Sequence, residues 1–248
     1  MKTVLITGAT AGFGRETARR FIAGGWKVVG TGRRAERLEE LRAELGDTFC
    51  PLAFDISDVA AMQAAIAALP DGFGGIDLLI NNAGLALGTK AAPDIDLADW
   101  MTMIDTNVKG LVAITQALLP VLIERKGGII NLSSIAGNWP YMGGNVYGAT
   151  KAFVRQFSLN LRADLHGTGV RVTSLEPGMA TSEFTMVRTK GNTEAHEKLY
   201  SGTEPLTPED LAETMWWIGT LPAHVNVNAL ELMPTSQSFA GLKVHYES

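Results

Sequence analysis

The sequence predicts an α/β fold: a doubly wound parallel sheet of about seven strands with helices on both faces. Three observations predict it. Short β-rich runs alternate with helical stretches from the first residues onward, the pattern of a parallel sheet with crossover helices. A glycine-rich turn, Thr7-Gly8-Ala9-Thr10-Ala11-Gly12-Phe13-Gly14, joins the first strand directly to the first helix. The later run Ile76–Ile80 is short and apolar, as strands covered on both faces are.

The elements follow in order. Lys2–Thr7 is the first strand. Gly12–Ala23 has helical spacing and stops at Gly24-Gly25, as helices commonly do. Lys27–Thr31 is the second strand. Ala35–Leu45 places Leu38, Leu41 and Leu45 on one helical face, with Gly46 behind it. Thr48–Phe54 is the third strand, carrying Cys50 as a half-buried thiol rather than a nucleophile. Ser57 is placed to cap a helix over Asp58–Leu69, and Ile76–Ile80 follows as the fourth strand. A long helix covers Leu97 to Arg125. Gly128–Leu132, the helix Asn145–His166 and Val170–Leu175 come next. Pro177 to Pro205 lacks periodicity and reads as a long mobile insertion. Thr207-Pro208-Glu209-Asp210 carries a cap, a proline at the first helical position and acids in the first turn. Ala229–Leu232 is the last strand. No repeat or linker interrupts the chain, so residues 1–248 read as one domain, with a substrate loop at 177–205 and a tail at 234–248.

Composition narrows the function. The chain has 248 residues, 46% hydrophobic and 19% charged, and a net charge of −5. That balance argues against nucleic acid and against an anionic membrane surface as partners. The single cysteine excludes an internal disulfide and fits a reducing compartment. The apolar run between Lys109 and Glu124 is shorter than a membrane span requires. A soluble, cytoplasmic protein is the expectation. His166, His196, His224 and His245 show no ligand spacing, so no metal is implied.

Glycines at 8, 12 and 14 let the backbone approach a bound group closely. The helix that follows offers unpaired N–H groups to a phosphate. After the second strand, where an acid often holds ribose hydroxyls, the sequence reads Gly30-Thr31-Gly32-Arg33-Arg34. Two arginines there suit a further phosphate and point to NADP(H), with Arg33 favoured over Arg34. The plain alternative is a solvated basic start to the next helix. Asp55 and Ile56, ending the third strand, are placed to meet the adenine.

Ser133-Ser134 follow the fifth strand. Tyr147 and Lys151 stand four residues apart on a helix and so share a face. Bringing a phenol from about 10 to near 7 takes roughly 4 kcal/mol. A unit charge about 4 Å away at a dielectric of about 20 supplies energy of that order. A nicotinium ring would add to it, so Lys151 together with an oxidised cofactor is expected to lower the Tyr147 pKa, making it an acid/base near neutrality. Ser134 can hold a substrate oxygen.

The glycine loop together with Ser134, Tyr147 and Lys151 resembles the short-chain dehydrogenase/reductase family over essentially the whole chain. The resemblance implies a Rossmann-like fold and hydride transfer with a nicotinamide cofactor. It implies that Asn82, Ala83 and Gly84, in Asn81-Asn82-Ala83-Gly84, lie along the cofactor. Asn107 would hold a water in the proton relay. Pro177, Gly178, Met179 and Thr181 would meet the nicotinamide, with Ser182 competing for the last place. Asn138 to Lys151, Leu221 to Asn226 and Ser236 to Leu242 are similar to the NADP-dependent 3-hydroxy acid dehydrogenases. Sulfoacetaldehyde reductases are similar to the same group. The chain departs after Pro177-Gly178, where it is one residue short.

A small carboxylate or sulfonate substrate needs a local cation. Arg188 is the candidate, with Lys190 behind it. Tyr141 and Trp139 would wall the pocket, and Arg155 is assigned to a subunit contact. Trp216 and Trp217 read as packing residues. The family resemblance implies a homotetramer, with the tail against a neighbouring subunit. A protein that senses NADP(H) without catalysis is the rival reading, and it would be expected to lack Tyr147 or Lys151.

Overall fold

The computed structural model describes residues 1–248 except 182, 190, 192, 194–199, 241–243 and 245–248. Seven strands form one sheet: β1 (Thr3–Ile6), β2 (Lys27–Gly32), β3 (Phe49–Ala53), β4 (Leu78–Asn81), β5 (Gly128–Leu132), β6 (Arg171–Pro177) and β7 (Ala229–Leu232). Their order is β3-β2-β1-β4-β5-β6-β7, and every pair is parallel. The order reverses between β1 and β4. At that point the first turns of two oppositely wound halves part and leave a crevice at the strands' carboxyl ends.

The helices that concern the site are α1 (Gly12–Ala23), α2 (Ala35–Leu45), α3 (Val59–Ala67), α4 (Leu97–Ile104), α5 (Leu111–Glu124), α6 (Asn145–Asp164), α7 (Glu183–Arg188) and α8 (Pro208–Thr220). One core packs Val4, Ile6, Phe21 and Val28 against Leu211, Met215 and Ile218 of α8. On the opposite face, Leu5, Val29 and Leu79 meet Ile114, Leu118 and Leu122 of α5 and Leu161 of α6. The two cores account for the strands' apolar runs.

Several expectations shift. β4 begins at Leu78, because Asp77 turns its carboxylate to the Thr3 amide at 2.8 Å and to Arg125 at 2.8 Å. The cap of α3 is Asp58, which accepts from the Ala61 amide at 3.0 Å. Ser57 instead donates its hydroxyl to Asp55 at 2.7 Å. Residues 177–205 are not a plain insertion. They contain α7, too short for its period to register in the sequence, and a bridge between Ala180 and Leu206.

Leu97–Glu124 forms one unbroken helical rod, since a π-helical segment, Asp105–Gly110, joins α4 to α5. It is 28 residues long and an 18-residue stretch of it reaches a mean hydropathy of 1.5, long and apolar enough to cross a membrane. The sequence count had stopped at Lys109, and the rod does not. Its α5 half packs Leu111, Ile114, Leu118 and Leu122 into the sheet core.

Candidate active site

A cleft of about 370 Å³ lies over the crevice between β1 and β4. It runs from Arg33, Arg34, Asp55 and Ile56 at one end, past Gly8, Thr10, Gly12 and Phe13, to Ser134, Tyr147, Lys151, Pro177 and Gly178 at the other. Asn82, Ala83 and Gly84 form its floor. The sequence placed all of these in one site, and the fold brings them together.

The glycine loop is fixed from below. Asn82 Nδ2 donates to the carbonyls of Thr7 and Gly8 at 2.8 and 3.2 Å, and the Ala83 amide donates to Thr7 Oγ1 at 2.9 Å. Gly8 has φ +72°, the left-handed region open to glycine. Gly14 does not line the cleft. It sits behind the loop, where a Cβ would fall 2.3 Å from the Gly8 carbonyl oxygen. Its contribution is the close approach of α1 to the turn.

Beneath the site a buried polar chain ties the sheet to the catalytic helix. Asn81 Nδ2 donates to Asn131 Oδ1 at 2.8 Å, and Asn131 Nδ2 donates to Ser158 Oγ at 2.9 Å. Asn107 lies in the π-helical segment, a form that recurs at functional sites. Its side chain accepts from the Leu85 amide and donates to the Leu85 carbonyl, both at 2.8 Å, and to Thr150 Oγ1 at 3.1 Å. The amide thus braces α6 against the chain leaving Gly84. Both donors of the amide are thus taken by protein, while Oδ1 keeps a second acceptor position.

Ser134 stands where β5 ends and accepts from the Ala136 amide at 3.1 Å while donating to the Pro177 carbonyl at 3.3 Å. Tyr147 and Lys151 are buried on the first turns of α6. Lys151 Nζ donates to the Leu132 carbonyl at 2.7 Å, and Lys151's own carbonyl accepts from Ser133. Burial lowers the Lys151 pKa to about 8.

The Tyr147 phenol departs from expectation. Burial pushes it above its usual value, outweighing the hydrogen bond from Ser134 and the nearby charge of Arg188. Lys151 Nζ is 5.8 Å from the Tyr147 ring centroid and is bound to a carbonyl. The protein groups alone therefore hold the tyrosine protonated; the expected depression joined Lys151 to an oxidised nicotinium ring, and Lys151 by itself does not supply it. Loss of hydration costs the phenolate more than Ser134 and Arg188 offset.

Other assignments move as well. Met179 and Thr181 lie outside the cleft wall. The Met179 amide donates to Gln237 Oε1 at 2.7 Å, and the Thr181 amide donates to the Leu206 carbonyl at 2.8 Å. Gln237 also sits against Gly178, where a Cβ would meet its Oε1 at 2.3 Å. Ser182, Lys190, His196 and His245 fall outside the described residues. Trp139 turns away from the cleft, stacking on Phe239 at 5.5 Å and donating to Glu231 at 3.1 Å. The tail residues Gln237 and Phe239 therefore pack on their own chain. Arg155 pairs with the buried Glu176 of its own chain at 3.3 Å. Trp216 packs on Phe21, while Trp217 is half exposed.

Arg188 comes from α7. Its guanidinium lies 5.4 Å from the Tyr141 ring and 5.8 Å from the Tyr147 ring, with the Gly88 and Gly143 carbonyls 3.4 Å away. Among the described residues no carboxylate lies within 4 Å of it. Phe184, one helical turn earlier, packs on Tyr147 at 5.5 Å. Glu183, Phe184 and Val187 line the cleft, and sequence reasoning missed all three as site residues. The Glu183/Val187 and Phe184/Arg188 spacings were the available signal, two i,i+4 pairs within six residues.

The pattern of short chain dehydrogenases matches residues 2–193. The chain belongs to the short-chain dehydrogenase family. Serine 3-dehydrogenase of Agrobacterium fabrum is 63% identical over 246 residues, covering 99% of each chain. The NADP-dependent 3-hydroxy acid dehydrogenase YdfG of Escherichia coli K12 is 59% identical over 244 residues, 98% of each. Among solved structures, the closed form of serine dehydrogenase complexed with NADP+ superimposes with a TM-score of 0.95. It is 59% identical and covers 99% of this chain and all of its own. In this short-chain dehydrogenase the cleft coincides with the crevice where the fold places ligands.

Proposed function

We propose that this short-chain dehydrogenase is an NADP(H)-dependent oxidoreductase acting on short 3-hydroxy acids of the serine, allo-threonine or 3-hydroxypropionate type, or on the matching oxo acids. The observation that carries the reading is Arg188, a guanidinium facing Tyr147 with carbonyls and rings as its described neighbours. A cation beside the proton-transfer group, with no carboxylate partner among the described residues, suits an anionic substrate. The names of the relatives support the same substrate class.

The residues present fit NADP(H). The left-handed Gly8 and the tightly packed Gly14 leave room for a pyrophosphate over the α1 N-terminus, and Arg33 stands at the adenosine end. Arg33 faces Asp55 at 3.7 Å, and both are well exposed to solvent. Bound NADP(H) supplies or accepts the hydride. Ser134 donates a hydrogen bond to the substrate oxygen and orients it. Tyr147, held protonated by burial, gives its proton to that oxygen in reduction and takes it back in oxidation. Lys151 keeps a positive charge below the phenol and donates toward the ribose. Asn107 holds α6 in place against the chain after Gly84. Arg188 receives the carboxylate. A homotetramer is the assembly that the family resemblance suggests.

A steady-state panel tests the substrate: malonate semialdehyde, sulfoacetaldehyde, a neutral aldehyde of equal size with NADPH, and serine with NADP⁺. Carboxylate substrates should show the highest kcat/KM. A preference for sulfoacetaldehyde would make the protein a sulfoacetaldehyde reductase, and a preference for the neutral aldehyde would remove Arg188 from its role. Tyr147→Phe should abolish turnover with NADPH binding retained. Retained turnover would sink the mechanism and return the non-catalytic sensor reading.

A further inference from the structure

Glu183 opens α7 and reaches across the mouth of the cleft to α2. Its carboxylate accepts from Arg37 Nη1 at 3.0 Å and from Arg34 Nη1 at 3.3 Å. The other arm of Arg34 donates to Thr10 Oγ1 at 2.9 Å, so both sides of that guanidinium are held by protein. Arg34, Thr10 and Glu183 all line the cleft at the end marked by Arg33. A guanidinium holding a carboxylate offers the same donors that it would offer a phosphate. Glu183 therefore competes for a seat at the adenosine end of the cleft.

The competition is weak enough to be reversed. Arg34, Arg37 and Glu183 are 40, 39 and 53% exposed, and ion pairs at such exposure contribute little. The two arginines hold the Glu183 carboxyl below its usual range, so it is ionised at neutral pH. A phosphate dianion outbids it on charge.

The same short helix carries the groups above the tyrosine. Phe184 is 5.5 Å from the Tyr147 ring and Arg188 is 5.8 Å from it. Six residues thus span the distance from the arginines of α2 to the proton-transfer group.

We propose that Glu183 is a latch released by the cofactor's 2′-phosphate. Its carboxylate holds Arg34 and Arg37 until the phosphate takes them, and the release frees the short helix that carries Phe184 and Arg188 beside Tyr147 to shift. The proposal rests on the NADP(H) reading above. A nicotinamide cofactor without the 2′-phosphate has no group to displace Glu183, so it binds without shifting α7. A ligand moves such an equilibrium only through unequal affinity for the two states.

The test uses 2′,5′-ADP and 5′-AMP, which differ by the phosphate in question, titrated calorimetrically into the wild type and Glu183→Gln. The wild type should bind 2′,5′-ADP the more tightly. Glu183→Gln should tighten 2′,5′-ADP about three- to tenfold, the scale of two exposed ion pairs, and leave 5′-AMP within about twofold. Glu183→Ala should give the same contrast if glutamine itself bonds Arg34. Equal tightening of both nucleotides, or of neither, overturns the latch. Equal wild-type affinity for both would overturn the NADP(H) reading itself, a separate failure. Kinetics read the second half of the proposal. The hydroxy-acid KM should differ between NADP⁺ and NAD⁺ in the wild type, and the difference should shrink in Glu183→Gln. A difference of unchanged size would show that α7 does not carry the signal.

Discussion

Replacing Lys151 by methionine should change how stability depends on pH, and the sign can be worked from the structure. Burial lowers the Lys151 ammonium from 10.5 to about 8. Below pH 8 the lysine is protonated in both the folded and the unfolded chain, and the folded state bears the whole cost of a buried charge. Between about pH 8 and 10.5 the folded chain has released the proton and the unfolded chain has not. The unfolded state then binds more protons, so the lysine's contribution to stability rises with pH. The fall from 10.5 to about 8 corresponds to about 3 kcal/mol across that range. Tyr147 acts in the opposite sense but elsewhere. Its raised pKa contributes stability that is complete below pH 10 and lost above it. The window from pH 8 to 10 therefore reads the lysine. Lys151→Met also removes the hydrogen bond to the Leu132 carbonyl, worth about 1 kcal/mol. The variant should be more stable than the wild type by about 2 kcal/mol at pH 7. That advantage should vanish or reverse by pH 10. Equilibrium denaturation at four pH values and one protomer concentration measures it. Parallel stability curves for the two proteins from pH 8 to 10 would refute the reasoning.

Gly14→Ala must move backbone, because its Cβ falls 2.3 Å from the Gly8 carbonyl oxygen and 2.6 Å from Asn82 Nδ2. A loss of about 1–3 kcal/mol in denaturation is expected, with weaker NADPH binding by fluorescence titration. Arg33→Ala should raise the Kd for NADPH far more than for NADH, and an equal loss for both would remove its phosphate role. Arg188→Ala should raise KM for carboxylate substrates at least tenfold with a smaller change for a neutral aldehyde. An unchanged KM would leave it a surface arginine. Asn107→Ala strips three buried hydrogen bonds and should destabilise the fold by about 2–3 kcal/mol.

Most of the fold was legible because period and punctuation agreed. Gly12–Ala23, Ala35–Leu45, Gly128–Leu132 and Ala229–Leu232 have the bounds that the sequence suggested. The Thr207 cap and the first-turn proline and acids are formed as read, and the structure adds a capping box in which Thr207 and Asp210 bond each other's amides. The glycine loop and the Ser134, Tyr147 and Lys151 set were legible because each follows a strand at a fixed place in the winding. What failed was short or non-local. Six residues of α7 give less than two turns of pattern, so a site helix read as a loop. Trp139 was misplaced because its partners, Phe239 and Glu231, lie far away in the chain. Tyr147 shows the third kind of failure. Spacing identifies a neighbour, but burial decides which of two opposing effects on a pKa is larger.

The net charge of −5 poses a problem for a protein that is to bind two anions, and the cations around the cleft show how it is met. Arg33 faces Asp55, and Arg34 and Arg37 face Glu183, while Arg188 faces carbonyls and rings. The paired arginines lie at the adenosine end, where a phosphate dianion is strong enough to displace a carboxylate. Arg188, which has no carboxylate partner among the described residues, lies beside Tyr147 at the substrate end, where a monoanion would have little advantage over a competing carboxylate. The pairing thus grades the cleft by the charge of what each end receives. It also suppresses the general anion attraction that a row of free arginines would create. In such an arrangement the long-range field stays mildly negative, and selectivity comes from a few contacts made only at short range.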